Sequence, residues 1–393
     1  MNLLRELLLV GASQGLLLSV MILSLRSTNP IANRFLVAFI GLESLHLLWL
    51  YLPYAIGAAP SPMSIRILEG LRGLDAPALY FYSRAMTEYS FRFERKQLIH
   101  ALVLAPVAAW LVYLTFLPGW ADMSAHELQR QPQIIYWAMY HSLLMIGYGA
   151  LALRRITHHS QRLEQALSST DSVSLVWLQQ LLVFMLAVQC VHLSIDVLRL
   201  MALVGPAPKM LINLGSTLAI TYWLSIGGLR QTAIFTDRVR VALAAVNDVP
   251  GTEASAAHPM ELAKYAKSGL TDEYIHELWL KLQRILTTER PYLDATIDLP
   301  KLAKRLCVRP QELSQVINSN GESFYQLINC KRIEDAKELL LASPQRKMLD
   351  VALSVGFTSQ STFYTHFKKL TGKTPAQFRA DERRCLCAEP AVI

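Results

Sequence analysis

The chain has 393 residues, 52% of them hydrophobic and only 17% charged, with a formal net charge of +8. That length accommodates two or three domains, and the apolar content excludes an intrinsically disordered polymer. Five cysteines without paired spacing exclude a disulfide framework, while the positive charge points either to nucleic acid or to cations flanking membrane spans.

The apolar bias is concentrated before Leu229. Segment 7–25 is nearly uncharged and close to the roughly 20 residues that cross a hydrocarbon core. Only Arg5 precedes its apolar run and no small-x-small cleavage site follows, so it reads as a retained span and not as a signal peptide. Further spans are predicted at 35–57, 65–86, 98–117, 133–153, 175–204 and 210–229, seven in all. The third is the weakest, because Arg66, Glu69, Arg72 and Asp75 crowd its first half. Gly11, Gly15, Gly147 and Gly149 offer small surfaces for close helix approach. Trp49, Tyr51, Trp110, Trp120, Trp137 and Trp223 fall near predicted span ends, as interfacial or bundle-packing rings.

Loop charges set the orientation. Loops after spans one, three and five carry Arg26 and Arg34, then Arg84, Arg92, Arg95 and Lys96, then Arg154, Arg155 and Arg162. The N-terminus and the other loops carry only Arg5, Arg130 and Lys209, with Arg66 at a boundary. The richer side is cytoplasmic by the positive-inside rule, which puts the N-terminus outside and the polar C-terminal part inside. That result requires an odd number of spans, in agreement with seven.

Several ionisable residues fall inside predicted spans: Glu43 and His46 three apart, Arg72 and Asp75 three apart, His141, and then His192, Asp196 and Arg199 at i, i+4, i+7. Each would cost about 2.5–3.5 kcal/mol facing lipid, for Arg or Asp at the span centre, so they are expected to face the bundle interior. There they either neutralise one another and fix helix packing, or line a pocket for a small-molecule or membrane-derived signal.

Beyond Leu229 a juxtamembrane helix with Arg230, Arg238 and Arg240 is predicted, then a flexible linker rich in Ala, Ser, Gly and Pro at 247–259. Thr271 caps a helix over 272–288 whose Ile275, Leu278, Leu282 and Ile285 form one stripe. The stripe either packs on the following domain or pairs two chains. A short helix at 299–306 follows, capped by Asp298, with Pro300 tolerated in the first turn.

Two segments, RPQELSQVINS (309–319) and SQSTFYTHFKKLTG (359–372), are each preceded by a short apolar-periodic helix and a tight turn. Each reads as the second helix of a helix-turn-helix. Between them Phe324, Leu327, Ile328, Ile333, Ala336, Leu339 and Leu340 recur at helical spacing over 322–341. Such a helix spans about 30 Å, close to the roughly 34 Å between successive major-groove faces. Asn320 and Gly321, Ser343 and Pro344, Gly356, Thr358 or Ser359, and Thr374 with Pro375 supply the stops and starts.

GFTSQSTFYTHFKKLTGKTPAQFR (356–379) resembles the signature of the AraC/XylS family of bacterial transcription regulators. LPKLAKRL, ELSQVINSNGESFYQLIN and KRIEDAKELL follow that family's order and spacing, so the resemblance covers about a quarter of the chain. It implies an all-helical module with two helix-turn-helix units that reads adjacent major grooves and controls promoters. Matching the motif residue by residue implies base-reading roles for Gln311, Ser314 and Gln315, and base or backbone contacts for Gln360, Ser361 and Thr365. Arg309 departs from the pattern by standing where Ser or Thr is commoner.

Lys368, Lys369, Lys373 and Arg379 are expected on phosphates or on a solvated basic face, and His366 with Thr362 on the exposed side of the second recognition helix. Cys307 and Cys330 read as small apolar packers. No phosphate loop, nucleophile elbow or metal cluster is present, so neither catalysis nor a cofactor is expected.

The expectation is an all-α protein. Residues 1–230 form a seven-helix transmembrane sensor, 231–270 a juxtamembrane helix and linker, 271–384 a cytoplasmic AraC-type domain, and 385–393 a tail. Its expected partners are promoter DNA, the membrane, a signal ligand, a second copy and RNA polymerase. A transporter- or channel-like membrane domain fused to the regulator is the alternative.

Overall fold

The structure is a computed structural model of the whole chain and describes residues 2–24, 29–56, 71, 73–88, 91, 92, 94–103, 105, 106, 109, 132–170, 175–230 and 271–388. Among these every regular element is helical. Arg72, Trp110, Trp120, much of the predicted third and fourth spans, and the whole of 231–270 lie outside the described residues. The chain forms two compact units. One comprises Met1–His159 and Leu175–Phe235, the other Ser160–Ser174 and Thr236–Ile393.

The first unit holds α1 (Asn2–Ser24), α2 (Pro30–Ile56), α3 (Asp75–Thr87), a 3-10 helix (Arg95–Val103), most of α4 (Pro132–Ala166), α5 (Val176–Leu200) and α6 (Ala207–Arg230). Among the described residues four helical segments are long and apolar enough to cross a membrane: Glu6–Ser24, Pro30–Trp49, Pro132–Ala166 and Val176–Leu200. Helix α6 covers the predicted seventh span, whereas the described part of the third is only the 13-residue α3.

Large apolar side chains stay exposed along α1, with Leu17 at 70% and Val20 at 65%. Inside, Leu8, Ala12, Leu47 and Leu214 form a buried cluster joining α1, α2 and α6. Glycine makes the close packing possible, because a Cβ at Gly11 would strike Leu218 and one at Gly15 would strike Ser44. A Cβ at Gly149 would stand 3.0 Å from Leu186, a tight contact, and one at Gly147 meets nothing within 4 Å among the described residues. Trp137 is buried beside Tyr140, and Trp223 stacks on Phe184, so both rings pack within the bundle.

The second unit contains α7 (Asp272–Thr288), a 3-10 turn (Pro291–Leu293), α8 (Leu299–Leu306), α9 (Pro310–Ser319), α10 (Phe324–Ala342), α11 (Met348–Ser354), α12 (Gln360–Thr371) and α13 (Pro375–Ala388). It has two apolar cores. The first gathers Leu278, Leu282 and Leu286 of α7 with the buried faces of α8 and α9. The second gathers Val351, Ala352, Val355, Phe357, Phe363 and Phe367.

Helix α10 serves both cores: Phe324, Leu327 and Ile328 enter the first, and Ile333, Ala336 and Leu340 the second. The apolar stripe of α7 therefore packs on the domain, with Tyr274, Ile275, Trp279 and Ile285 at the edge of the same core.

The caps follow from side-chain chemistry. Thr271, Asp298, Ser323 and Ser359 each accept a backbone N–H in the first turn of α7, α8, α10 and α12. Ser323, not Glu322, opens α10, because Gln326 completes a capping box by accepting the Ser323 N–H at 2.9 Å. Arg309 offers α9 no comparable oxygen, and the Glu312 carboxylate accepts the Arg309 N–H instead, at 3.3 Å.

Cys307 is exposed and ends α8 in the left-handed conformation at φ 59°, so it is no core packer, contrary to expectation. A side chain there is strained and buries nothing. Cys307→Gly should raise the domain's stability by about 0.5–1 kcal/mol, the left-handed strain relieved less the extra freedom of glycine in the unfolded chain. A denaturant midpoint unchanged or lowered by the substitution would contradict this. Cys330 is half-buried on α10, where burial pushes its thiol pKa up and keeps it protonated.

Candidate nucleic-acid interface and buried polar groups

The recognition helices α9 and α12 each turn an apolar edge inward and a polar edge outward. Leu313, Val316 and Ile317 anchor α9, which leaves Gln311, Ser314, Gln315 and Asn318 partly exposed on its other side. Phe363 and Phe367 anchor α12, which leaves Gln360, Ser361 and Thr365 exposed. The Thr365 hydroxyl donates to the Ser361 carbonyl at 3.0 Å, so it faces a ligand mainly with its oxygen lone pairs.

The 19 residues of α10, about 28 Å of helix, connect the two helix-turn-helix units. Both cores grip this one rod, so α9 and α12 are carried on a common support.

The basic residues divide into two groups. Lys368 and Lys369 are exposed at the C-terminal end of α12. Lys373 pairs with Asp381 at 2.7 Å, and Arg379 donates to the carbonyls of Pro344 and Arg346 at 3.0 and 2.9 Å. Arg379 therefore braces the connection that follows α10. His366 is half-buried and not on the exposed face: its Nε2 lies 2.7 Å from the Tyr325 hydroxyl and its ring stacks on Phe357. It ties α12 to α10. Thr362 is likewise turned inward, 2.8 Å from the Ser359 hydroxyl.

Beneath the two helices sits a polar group that the sequence did not reveal. Arg332 on α10 is fully buried and donates to the carbonyls of Tyr292 and Asp294 at 2.8 and 3.0 Å. Its guanidinium lies 5.6 Å from the Phe357 ring. The Tyr292 hydroxyl donates to Asp335 at 3.0 Å, and burial together with that bond pushes the phenol pKa up to about 12. In sequence Arg332 is one of several cations on a charged helix, and only the tertiary carbonyls single it out.

In the first unit the ionisable residues fall into separate groups. Asp75 of α3 is fully buried and meets His141 of α4 at 3.0 Å. His46 of α2 lies 3.2 Å from the Asn213 amide of α6, with Glu43 buried one turn earlier. Asp196 of α5, also fully buried, pairs with Arg199 at 3.1 Å and with Lys209 of α6. Lys209 further donates to the carbonyl of His192 at 3.4 Å. Lys209 reads in sequence as a loop cation and Asn213 is an uncharged residue inside the seventh predicted span, so neither stands out until its partner is known. At the far end of α4, Arg155 pairs with Glu88 and donates to Thr87 at 2.8 Å.

Comparison with known proteins bears on the second unit. Residues 302–381 match the family model of a helix-turn-helix domain. Over 88 residues the chain is 35% identical to the arabinose operon regulatory protein of Escherichia coli (strain K12), covering 22% of this chain and 30% of the relative. The arabinose operon regulatory protein of Salmonella typhimurium is also 35% identical over 88 residues, 22% of this chain and 31% of its own length. An uncharacterized HTH-type transcriptional regulator of Staphylococcus aureus is 41% identical over 63 residues, 16% of this chain and 8% of its own length. The chain thus spans less than a third of each of these relatives. No solved structure gives a significant match. The C-terminal unit carries a helix-turn-helix domain of AraC type.

Proposed function

We propose that this chain is a membrane-anchored, sequence-specific transcription regulator, a one-component sensor whose AraC-type domain binds promoter DNA. The observation that carries the reading is the pair of polar-faced helices, α9 and α12, held on one rod by two cores. Gln311, Ser314 and Gln315 read bases from α9, and Gln360, Ser361 and Thr365 from α12. Gln and Ser side chains suit this, since a Gln amide bonds adenine N6 and N7 together. Lys368 and Lys369 hold phosphates, and Arg379 and Lys373 position the helices that do so. RNA polymerase and a second copy of the chain are the protein partners of this reading.

The N-terminal unit is, in the same reading, a seven-span bundle of the inner membrane with its N-terminus outside and the DNA-binding domain in the cytoplasm. The exposed apolar face of α1 supports contact with lipid. Segment Ser160–Ser174 belongs to the same compact unit as the helix-turn-helix domain, which supports a shared side of the membrane. The groups around Glu43 and His46, Asp75 and His141, and His192, Asp196 and Arg199 are where a signal ligand would bias the bundle, with Arg72 a further candidate. A ligand must bind two packings unequally to act in this way.

The reading is tested with the full chain in nanodiscs. Gln360→Ala should cost about 1–3 kcal/mol and relax sequence choice at one position. Lys369→Ala should weaken all sequences alike and reduce the salt slope by about one. Equal losses on operator and random duplex for both variants would remove the division between base and phosphate contacts. A reporter fused after Ile393 that reports from outside the cell would remove the topology.

A further inference from the structure

Two residues from the sequence between α4 and α5 are built into the DNA-binding unit. Leu167, 2% exposed, forms an antiparallel backbone bridge with Asp298, the cap of α8. Ser168, 1% exposed, donates its hydroxyl to the Ile297 carbonyl at 2.6 Å. The Ser168 carbonyl in turn accepts from Asn329 at 3.2 Å and from Arg332 at 3.4 Å, and a second Arg332 nitrogen lies 3.5 Å from the hydroxyl.

The seat has an informative position. Arg332 lies on α10 between the residues that enter the first core and those that enter the second. Its Nε is 3.0 Å from where a Cβ on Gly356 would stand, in the turn of the second helix-turn-helix. The Asp298 end of the seat belongs to the first. One short segment therefore bonds to the start of α8 and to the arginine that links α10 to the second unit's turn.

Neither Leu167 nor Ser168 is among the residues of the two apolar cores, although Leu167 is itself buried. The segment is held by backbone pairing and neutral oxygens around a buried cation. Such an arrangement binds a peptide and releases it without unfolding its host, as strand-addition sites do.

We propose that residues 167 and 168 are an intramolecular ligand of the DNA-binding domain. Seated, they fix the two helix-turn-helix units relative to each other; withdrawn by rearrangement of α4 and α5, they let the units shift on the α10 rod that both share. The signal then reaches the DNA through the loop between two predicted spans, in addition to the covalent connection at 231–270. This rests on the regulator reading above and adds the route of regulation.

The test uses the full chain in nanodiscs with three substitutions at one position. Ser168→Lys sets a second cation against Arg332, Ser168→Ala removes only the hydroxyl, and Ser168→Thr retains it. Amide exchange across 163–170 and 292–298 should accelerate together, by about tenfold or more for Ser168→Lys and less for Ser168→Ala, while 278–286 and 363–367 keep their protection. Affinity for an operator spanning two major grooves should fall about tenfold in Ser168→Lys, with single-groove half-sites changing by less than about twofold and Ser168→Thr behaving as the parent.

Exchange at 292–298 that ignores all three substitutions overturns the seating. Accelerated exchange with unchanged operator affinity overturns the coupling to DNA. If the parent chain itself shows no operator preference, the regulator reading fails, and the exchange measurement still decides whether the segment is seated.

Discussion

Gly356→Ala should cost the helix-turn-helix domain about 2–5 kcal/mol, a large part of the roughly 5–15 kcal/mol that holds a typical domain folded. Gly356 sits at φ +93°, where an L side chain carries about 1–2 kcal/mol of strain. Its Cβ would also stand 2.5 Å from the Tyr292 carbonyl oxygen and 2.8 Å from that of Leu293. Both are main-chain atoms of the 3-10 turn and cannot swing away as a side chain would, so overpacking adds about 1–3 kcal/mol. The Tyr292 carbonyl is moreover an acceptor of Arg332, and displacing it disturbs a buried cation.

Gly321 and Gly372 make the control. They have φ values of +78° and +75°, but a Cβ at either meets nothing within 4 Å. Alanine there should cost only about 1–2 kcal/mol, the backbone strain alone. Denaturant unfolding of the three variants separates the two causes, and equal midpoints for all three would mean that the crowding at Gly356 has no energetic weight.

Asp196→Ala should destabilise the α5–α6 pair by about 3–5 kcal/mol, because it leaves Arg199 and Lys209 without a shared carboxylate among apolar surroundings. Arg199 stands in the last turn of α5 and Lys209 in the first turn of α6, so the cost is that of the broken pair, and in the membrane-anchored reading the protein should reach the membrane in reduced amount. Asp196→Ala combined with Lys209→Met should recover part of the loss, since one of the two charges that shared the carboxylate is gone. Membrane abundance and the unfolding temperature in detergent check this, and a single variant with parental values in both would dismiss the ion pair as a packing element. Glu43→Gln offers a contrast: lost signal response at normal abundance would mark that group as sensing and not structural.

Much of the second unit is determined by local chemistry and was therefore legible without coordinates. Asp298 and Ser359 announce helix starts, Gly321 marks a stop with positive φ, and the spacing of Leu313, Val316 and Ile317 defines the inward edge of α9. Each depends on residues within about one helical turn, over which side chain and backbone interact directly. The polar outward set on α9 and α12 follows from the same periodicity. Where a local signal was ambiguous, as between Thr358 and Ser359, geometry chose the residue whose oxygen faces the first-turn N–H.

Tertiary structure decided what depends on partners distant in sequence. His366 has an exposed-looking position on α12, yet Tyr325, 41 residues earlier, turns it inward. Asp75 finds His141 across 66 residues, and Ser168 finds Arg332 across 164. A buried charge is tolerable only where opposite charges or dipoles converge on it, and no window of sequence holds that information. Composition and periodicity thus determined that this chain makes apolar helices and two helix-turn-helix units, and the fold alone chose which polar residues meet.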